Sequence, residues 1–460
     1  MGETNFVFKR GKLTTILDAQ AGSSGKGVIG SYVCQHADNW QFACNTFMPQ
    51  AGHWVKLDDG RSFFYQTLNS CAYNHDKFEK LYIGPGATIE LPALWRELEE
   101  NGLPRHKLGI SPITSILQDI DAGYERGTHG WDGKPLADTV AGGPLASTGS
   151  TAHGCGANRA RRVLRRREAR YAKDIPELRE FLCDVPSEVM ERLRQGQSGL
   201  LEVAQGFQLS YMLQNMFPFT TSRNCTVAAG FDDMMVAPLH VGPVILNFRT
   251  YPIRINSNKY IDMASGKHLT WPEVLEAIKH IDPTLPAWDI VGQQPSAAGL
   301  ATVGVNMVVG NSGPGYHDHE ETNWEAITST SGSREPITEI TSVTKLPRRV
   351  FTFSRQNMHE AIRHNATGHD IYLSVNFVNY VDATLLGVRG NINSINDRLL
   401  TDKVRGWFLD NLRPYLGMLR FIGTGPRTDD KIVVNYGSQA IQNWKGYDPY
   451  SHFPFDPTIG

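Results

Sequence analysis

Short apolar runs alternate with segments of helical periodicity through the first half of the chain, the pattern of an α/β protein built on a central sheet. An apolar run from Thr14 to Leu17 stops at Asp18, and a small-residue loop follows before Gly25-Lys26-Gly27 opens a helical segment. KLYIGPGATIELPALWRELEENGL (80–103) predicts a strand, a turn and a helix from Leu91 to Glu100, with Leu91, Leu94 and Leu98 on one face. GLLEVAQGFQL (199–209) predicts a strand entering a glycine turn, and VAPLHVGPVILNFRTYPIRI (236–255) a helix and then a strand. From 256 to 336 the pattern changes to one helix, TWPEVLEAIKHI (270–281), and a Gly/Ser-rich stretch containing GNSGPGYHDHEE. PRRVFTFSRQNMHEAIRHNA (347–366) resumes a helix, and DIYLSVNFVNYVD (370–382) reads as a strand. The expected architecture is one large α/β domain over 1–460 with a central, mostly parallel sheet and a P-loop-like phosphate loop. An elaboration is inserted at about 256–336, and a tail runs over about 437–460.

Composition adds little to this picture: 460 residues, 40% hydrophobic, 20% charged, net charge −2. No basic surplus supports a nucleic-acid partner. The segment NRARRVLRRREARYAK (158–173) is a local exception, read either as a solvated basic face or as phosphate binding at a site or subunit contact. Six scattered cysteines without a CxxC pair argue against a disulfide framework or a zinc cluster and for the cytoplasm. No run is long and apolar enough to span a membrane, and the N-terminus lacks a signal-type core.

Four stretches carry candidate chemistry. The loop before Lys26 is not a Walker A motif, because the first glycine and the Ser/Thr after the lysine are missing. Its place between a strand and a helix nevertheless suits a phosphate. FMPQAGHWV (47–55) puts Gly52-His53 near a strand end, and STGSTAHGCGANRARR (147–162) sets small residues ahead of a basic helix. HDHEE (317–321) has metal-ligand residue types, and reads as a solvated loop.

In this order, the motifs resemble those of adenylosuccinate synthetase. The family's Gly-Asp-Glu-Gly-Lys-Gly loop corresponds to Gly22-Ser23-Ser24-Gly25-Lys26-Gly27, and its Asn-Ala-Gly-His to Gln50-Ala51-Gly52-His53. Its IGNG segment corresponds to IGPGATIELPAL, and its Gly-Thr-Thr to Gly149-Ser150-Thr151 with basic positions Arg162 and Arg165 following. EGAQG corresponds to EVAQG with Gln205, TSSNTTAGG to TSRNCTVAAG from Thr221, and Ser-Thr-Gly-Pro to Gly423-Thr424-Gly425-Pro426. Each motif alone is common; seven in one order are not.

The resemblance implies a ligase that phosphorylates the 6-oxo group of a purine nucleotide from a nucleoside triphosphate. The amine of aspartate then displaces the phosphate. It implies Mg²⁺ as cofactor with the Gly52 carbonyl as a ligand, and Lys26 and loop N–H groups on the transferred phosphate. His53 would lie between the 6-oxygen and the γ-phosphate, and Gln205 would hold the purine oxygen or the loop. Gly22, Ser24, Gly25, Gly27, Gln50, Ser150, Thr151, Thr221, Asn376, Thr424, Gly425 and Pro426 fall on nucleotide- and phosphate-binding positions. Arg165 would reach the 5′-phosphate, across a homodimer interface in the family. Thr344, Lys345, Arg348 and Arg349 fall on the amino-acid loop.

Three departures matter. The loop aspartate, the family's base and a Mg²⁺ ligand, is Ser23 here. A viral branch that uses deoxyguanylate makes the same kind of change, leaving room for a 2-amino group. The donor-base Thr-Lys-Leu-Asp becomes Ser374-Val375-Asn376-Phe377, and Phe377 cannot accept guanine's hydrogen bonds. With Gly423 replacing serine, ATP or dATP is expected as donor. In the amino-acid loop Leu346 stands where the family has an arginine, so an amine other than that of aspartate stays open. The alternatives are a relative using IMP or another amine, or a nucleotide-binding protein without catalysis.

Overall fold

The computed structural model describes residues 4–136, 150–254, 259–265, 268–269, 280, 304–309, 312–313, 315–316, 318–340 and 347–435. Ten strands form the central sheet: β1 (Leu13–Asp18), β2 (Phe42–Asn45), β3 (Lys80–Ile83), β4 (Leu108–Ile110), β5 (Gly199–Gly206), β6 (Val241–Arg249), β7 (Ile371–Asn376), β8 (Gly390–Ile392), β9 (Leu419–Gly423) and β10 (Lys431–Val434). Their spatial order is β8-β10-β9-β7-β6-β1-β5-β2-β3-β4, parallel throughout except where β9 meets β10. The α/β expectation with a mostly parallel sheet therefore holds.

Strand alternation sorts the side chains into two cores. Ile16, Leu200 and Ile245 share one face with Ile29 and Val33 of α1 (Lys26–His36). Leu17, Leu201 and Leu246 share the other with Phe231 of α6 (Val227–Met234) and Met358 of α8 (Arg355–His364). Between them in sequence lie α2 (Leu91–Asn101), α3 (Asp119–Glu125), α4 (Cys155–Val163), α5 (Val185–Arg194) and α7 (Trp324–Ser331). Because both faces are covered, the strands read as nearly continuous apolar runs. The register sets Asp18 beside Gly206 and Asn247, and Arg249 beside Asn376. Four strand ends thus open onto one crevice, where ligands bind in parallel sheets.

Two local expectations are corrected. The helix expected to begin near Val236 ends at Met234 instead. Thr226 caps its start, Met235 leaves it at φ 54°, and Pro238 begins a single 3₁₀ turn before β6. His53 does not close a strand but starts one, in the hairpin His53–Lys56 with Ser62–Tyr65. The helix expected at 270–281 lies outside the described residues except for its position 280. The end of the expected elaboration is stitched to its flanks. Glu321–Thr322 pairs with Arg349–Phe351, which pairs with Ile253–Arg254, while Trp324 and Ile327 of α7 pack on Ile253 and Val350.

Candidate active site

The loop from Asp18 to Lys26 is folded around one buried carboxylate. Asp18 accepts hydrogen bonds from the Gln20 and Ser24 amides, both at 2.9 Å, and from Ser24 Oγ at 2.5 Å. From outside, Asn247 and Asn376 each donate to the Ser24 carbonyl at 2.7 Å. Gly25 caps α1 at φ 87°, where a side chain would be strained, and so offers no side chain to the first-turn N–H groups. The start of α4 differs. There Glu125 already accepts from the Gly154 and Ala157 amides at 2.7 and 3.0 Å.

Lys26 is 4% exposed and reaches across to β5, donating to the carbonyls of Val203 and Gln205. Burial lowers its pKa, against the opposing pull of Asp18 and Glu202. Gln205 stands at φ 58°, and its side-chain oxygen accepts from Cys225 at 3.8 Å. The His53 ring lies 4.4 Å from that of Phe47, and its Nε2 is buried with no hydrogen-bond partner among the described residues. Burial and the nearby Lys26 charge hold its pKa well below the usual histidine value, so the imidazole is neutral at pH 7. A buried ring nitrogen without a partner among the described residues, beside the Lys26 charge, is free to pair with a bound group.

Ser23, at φ 56°, belongs to a charged network. Its hydroxyl oxygen accepts from Arg348, and its carbonyl accepts from Arg249 at 3.1 Å. Glu339 pairs with Arg249, lies 4.0 Å from Arg348, and accepts from Tyr380 at 3.0 Å. The Phe377 ring covers the Arg249 guanidinium at 4.6 Å. Arg349 points elsewhere, held by Glu321 through two bonds of 2.7 Å. Of the four amino-acid positions, then, the structure brings Arg348 to the loop and not Arg349, while Thr344 and Lys345 (with Leu346) lie outside the described residues.

On the opposite wall, Gln50 donates to Thr221 at 3.4 Å, and exposed Gly52 leads into the hairpin. Ser150 accepts from the Ala152 amide at 3.2 Å, and Thr151 is half-buried before α4. The basic segment is largely consumed internally. Arg161 is buried against Asp121, Arg162 donates to the Pro85 and Ile113 carbonyls, and Arg166 pairs with Glu168. Arg165 sits at φ 52° beside exposed Val163 and Leu164.

The 424–430 turn closes the site. Thr424 donates to the Val388 carbonyl at 2.7 Å, and Gly425 packs on Asp430 ahead of Pro426. The Thr428 amide donates at 2.8 Å to Lys56, tying this turn to the His53 hairpin. A Cβ on Gly423 would sit 2.0 Å from Asn376 Oδ1 and 3.1 Å from its Cα. Since Asn376 is pinned by its amide, serine cannot fit at 423.

Sequence reading did not single out Asp18 as the loop's anchor, nor Arg249, Glu339 or Glu202. The one local signal was a charged residue ending an apolar strand, as Arg249 ends β6. The HDHEE stretch is exposed at Asp318, Glu320 and Glu321 and half-buried at His319, as a solvated loop would be. Asp318 also accepts from the first amides of α8 and Glu321 holds Arg349; His317 lies outside the described residues. Among the described residues no cluster of three His, Cys, Asp or Glu could hold a metal, and the six cysteines are free. No helix among them is long and apolar enough to cross a membrane.

No family model matches the chain. Over 249 residues it is 30% identical to the adenylosuccinate synthetase of Methanocaldococcus jannaschii, covering 54% of this chain and 67% of that one. Over 437 residues it is 26% identical to the N6-succino-2-amino-2'-deoxyadenylate synthase of Salmonella phage PMBT28, covering 91% and 96% of the two chains. The solved structure of the cyanophage S-2L succinoaminodeoxyadenylate synthetase, bound to dGMP and dATP as an energy donor, shares the fold. It aligns with a TM-score of 0.63 at 23% identity, over 94% of this chain and 97% of that one.

Proposed function

The chain belongs to the adenylosuccinate synthetase family, and on that premise we propose that it converts dGMP, ATP or dATP, and aspartate into 2-amino-N6-succinyl-deoxyadenylate. The observation that carries the reading is Ser23, a small neutral residue in the phosphate loop whose hydroxyl is held by Arg348. Likeness to the phage synthase over nearly the whole of both chains supports it.

In the first step the purine O6 attacks the γ-phosphorus, the bond from phosphorus to the bridging oxygen breaks, and the nucleoside diphosphate leaves. The N1 proton is lost to water held by Ser23, since no loop carboxylate can take it. Lys26 and the first-turn amides of α1 neutralise the charge on the moving phosphoryl group. His53, neutral in its buried place, donates to the oxygen on which charge changes. In the second step the amine attacks C6, the C6–O bond breaks with its electron pair leaving on phosphate, and the amine gives up one proton to solvent. Arg348 binds the amine donor's carboxylate. Gln205, Gln50, Thr221, Thr151, Ser150 and Arg165 hold the purine nucleotide, and the 424–426 turn and Asn376 border the donor.

Mg²⁺ fits here as an ion carried by the triphosphate. Both Asp18 oxygens are committed to the loop and position 23 has no carboxylate; the ligand the family resemblance implies is the Gly52 carbonyl, which would hold the ion. Bound there, it would add neutralising charge to the phosphates. Exposed Val163 and Leu164 beside Arg165, with exposed Ile113 held by Arg162, support a homodimer in which Arg165 serves the neighbouring site.

The test is a product screen by mass spectrometry, offering IMP, GMP, dGMP and dIMP with Mg²⁺ and ATP, with and without aspartate. A 2-amino-N6-succinyl product from dGMP is expected; product from IMP alone would overturn the assignment. ATP or dATP should also support turnover about 10-fold better than GTP, the scale of one or two lost hydrogen bonds at Phe377. Steady-state kcat/KM for the three donors checks this, and a preference for GTP would refute it.

A further inference from the structure

Among the described residues, Arg254 is a cation buried without a counter-charge. It is 4% exposed, yet Nε and Nη1 have no hydrogen-bond partner, and Nη2 meets only the Met216 sulfur at 3.6 Å. Its cross-strand neighbour Arg349 is also cationic and spends its own charge on Glu321. Tyr316 does not compensate, because its hydroxyl donates to Glu360 at 2.7 Å. Burial, then the charge of Arg349, pushes the Arg254 pKa down to about 9. Leaving a guanidinium desolvated and unpaired is among the costlier arrangements a fold can hold.

The surroundings adjoin the nucleotide wall. Met216 and Phe219 belong to the segment that continues to Thr221, where Gln50 docks. Gly313 is packed so closely that a Cβ on it would lie 2.4 Å from Phe219 and 2.7 Å from Arg254 Nη2. On the pleated ribbon Arg254 shares a face with Arg349, while Arg348, one residue earlier, is directed to Ser23. A dicarboxylate amine donor or a 5′-phosphate brings more negative charge than Arg348 alone can match.

We infer that Arg254 is an oxyanion-binding residue, whose two open nitrogens receive a carboxylate or phosphate group carried by a substrate of the ligase. This rests on the ligase reading above. Nε and Nη1 lie on different edges of the guanidinium, so each donates one charged hydrogen bond, and either group supplies the acceptor oxygens.

The inference separates from a structural role by the sign of its effects. Arg254→Met keeps the volume and removes the charge, so the ligand-free variant should melt at or above the wild-type temperature. At the same time one substrate KM should rise about 10- to 100-fold, the scale of losing a charged hydrogen-bond pair. A rise for aspartate identifies the carboxylate, and a rise for dGMP the phosphate. Unchanged values for both, in a folded variant, overturn the inference. Should the Met variant fail to fold, Arg254→Lys, which keeps charge but loses the guanidinium's fixed donors, reads the same two constants with the same criterion. If the wild type makes no product from any purine, thermal shifts with aspartate, dGMP and inorganic phosphate decide the matter. A shift present in wild type and lost in the variant upholds the anion site while the ligase reading fails, and equal shifts refute the site.

Discussion

Replacing His53 by alanine should lower turnover about 100-fold or more while leaving nucleotide affinity near wild type. The ring is positioned by the start of a hairpin and by Phe47, and its buried Nε2 waits without a partner among the described residues. Binding energy comes from the loop amides and polar groups around it, so the loss falls on the chemical step. Single-turnover release of the nucleoside diphosphate, set beside calorimetric dissociation constants, makes the distinction; full turnover would leave His53 a packing residue. Stability supplies a second readout. The folded imidazole stays neutral because its pKa is depressed, whereas in the unfolded chain it takes up a proton below about pH 6.5. Protons then favour the unfolded state, so His53 contributes a loss of stability as pH falls from 7 towards 5. That part of the slope should vanish in His53→Ala, measured by melts across the range.

Ser23→Asp should reverse substrate preference, cutting dGMP use about 10- to 100-fold relative to IMP, the scale on which a pocket rejects a group it crowds. The left-handed backbone at 23 accepts aspartate readily. Its carboxylate would meet Arg348 in place of the present hydroxyl and gain an ion pair. Two effects then superpose. Arg348 is drawn from the amine donor, raising the aspartate KM with either purine, while the larger charged group crowds a 2-amino substituent and can serve as base for a purine without one. The ratio of kcat/KM values isolates the second effect. A ratio unchanged from wild type, at matched melting temperature, would mean that position 23 does not read the purine's second carbon.

Much of the frame was legible because it is written locally. Six consecutive buried residues in β1, the Leu91–Asn101 helix with its Pro at the start, and the run Gly199–Gly206 announce themselves by period and composition. The Thr226-capped helix before Pro238 was missed because its short apolar stretch merges with the strand beyond it. Motif order located the crevice but not its wiring. Arg249 and Glu339 are 90 positions apart, and the Ser23 hydroxyl is held from 325 positions away. No periodicity reports such pairings, since they exist only after the sheet has brought the strand ends together. The same holds for Arg349. Beside Arg348 in sequence it looks like a second ligand, yet the pleat turns it to Glu321.

The close approach of position 423 to Asn376 makes the two sites a single mutational locus. A serine arriving at 423 would collide with an amide that is itself fastened to Ser24 and Asn247, so that change is barred while Asn376 remains. Shrinking Asn376 first removes a tether on the phosphate loop, a loss that must be survived before the serine can enter. Drift towards the family's other donor-site sequence therefore has to begin at Asn376, with Asn247 left as the remaining tether on the Ser24 carbonyl. A lineage holding the Asn376/Gly423 pair is kept there by its own packing, even with no selection on the donor nucleotide.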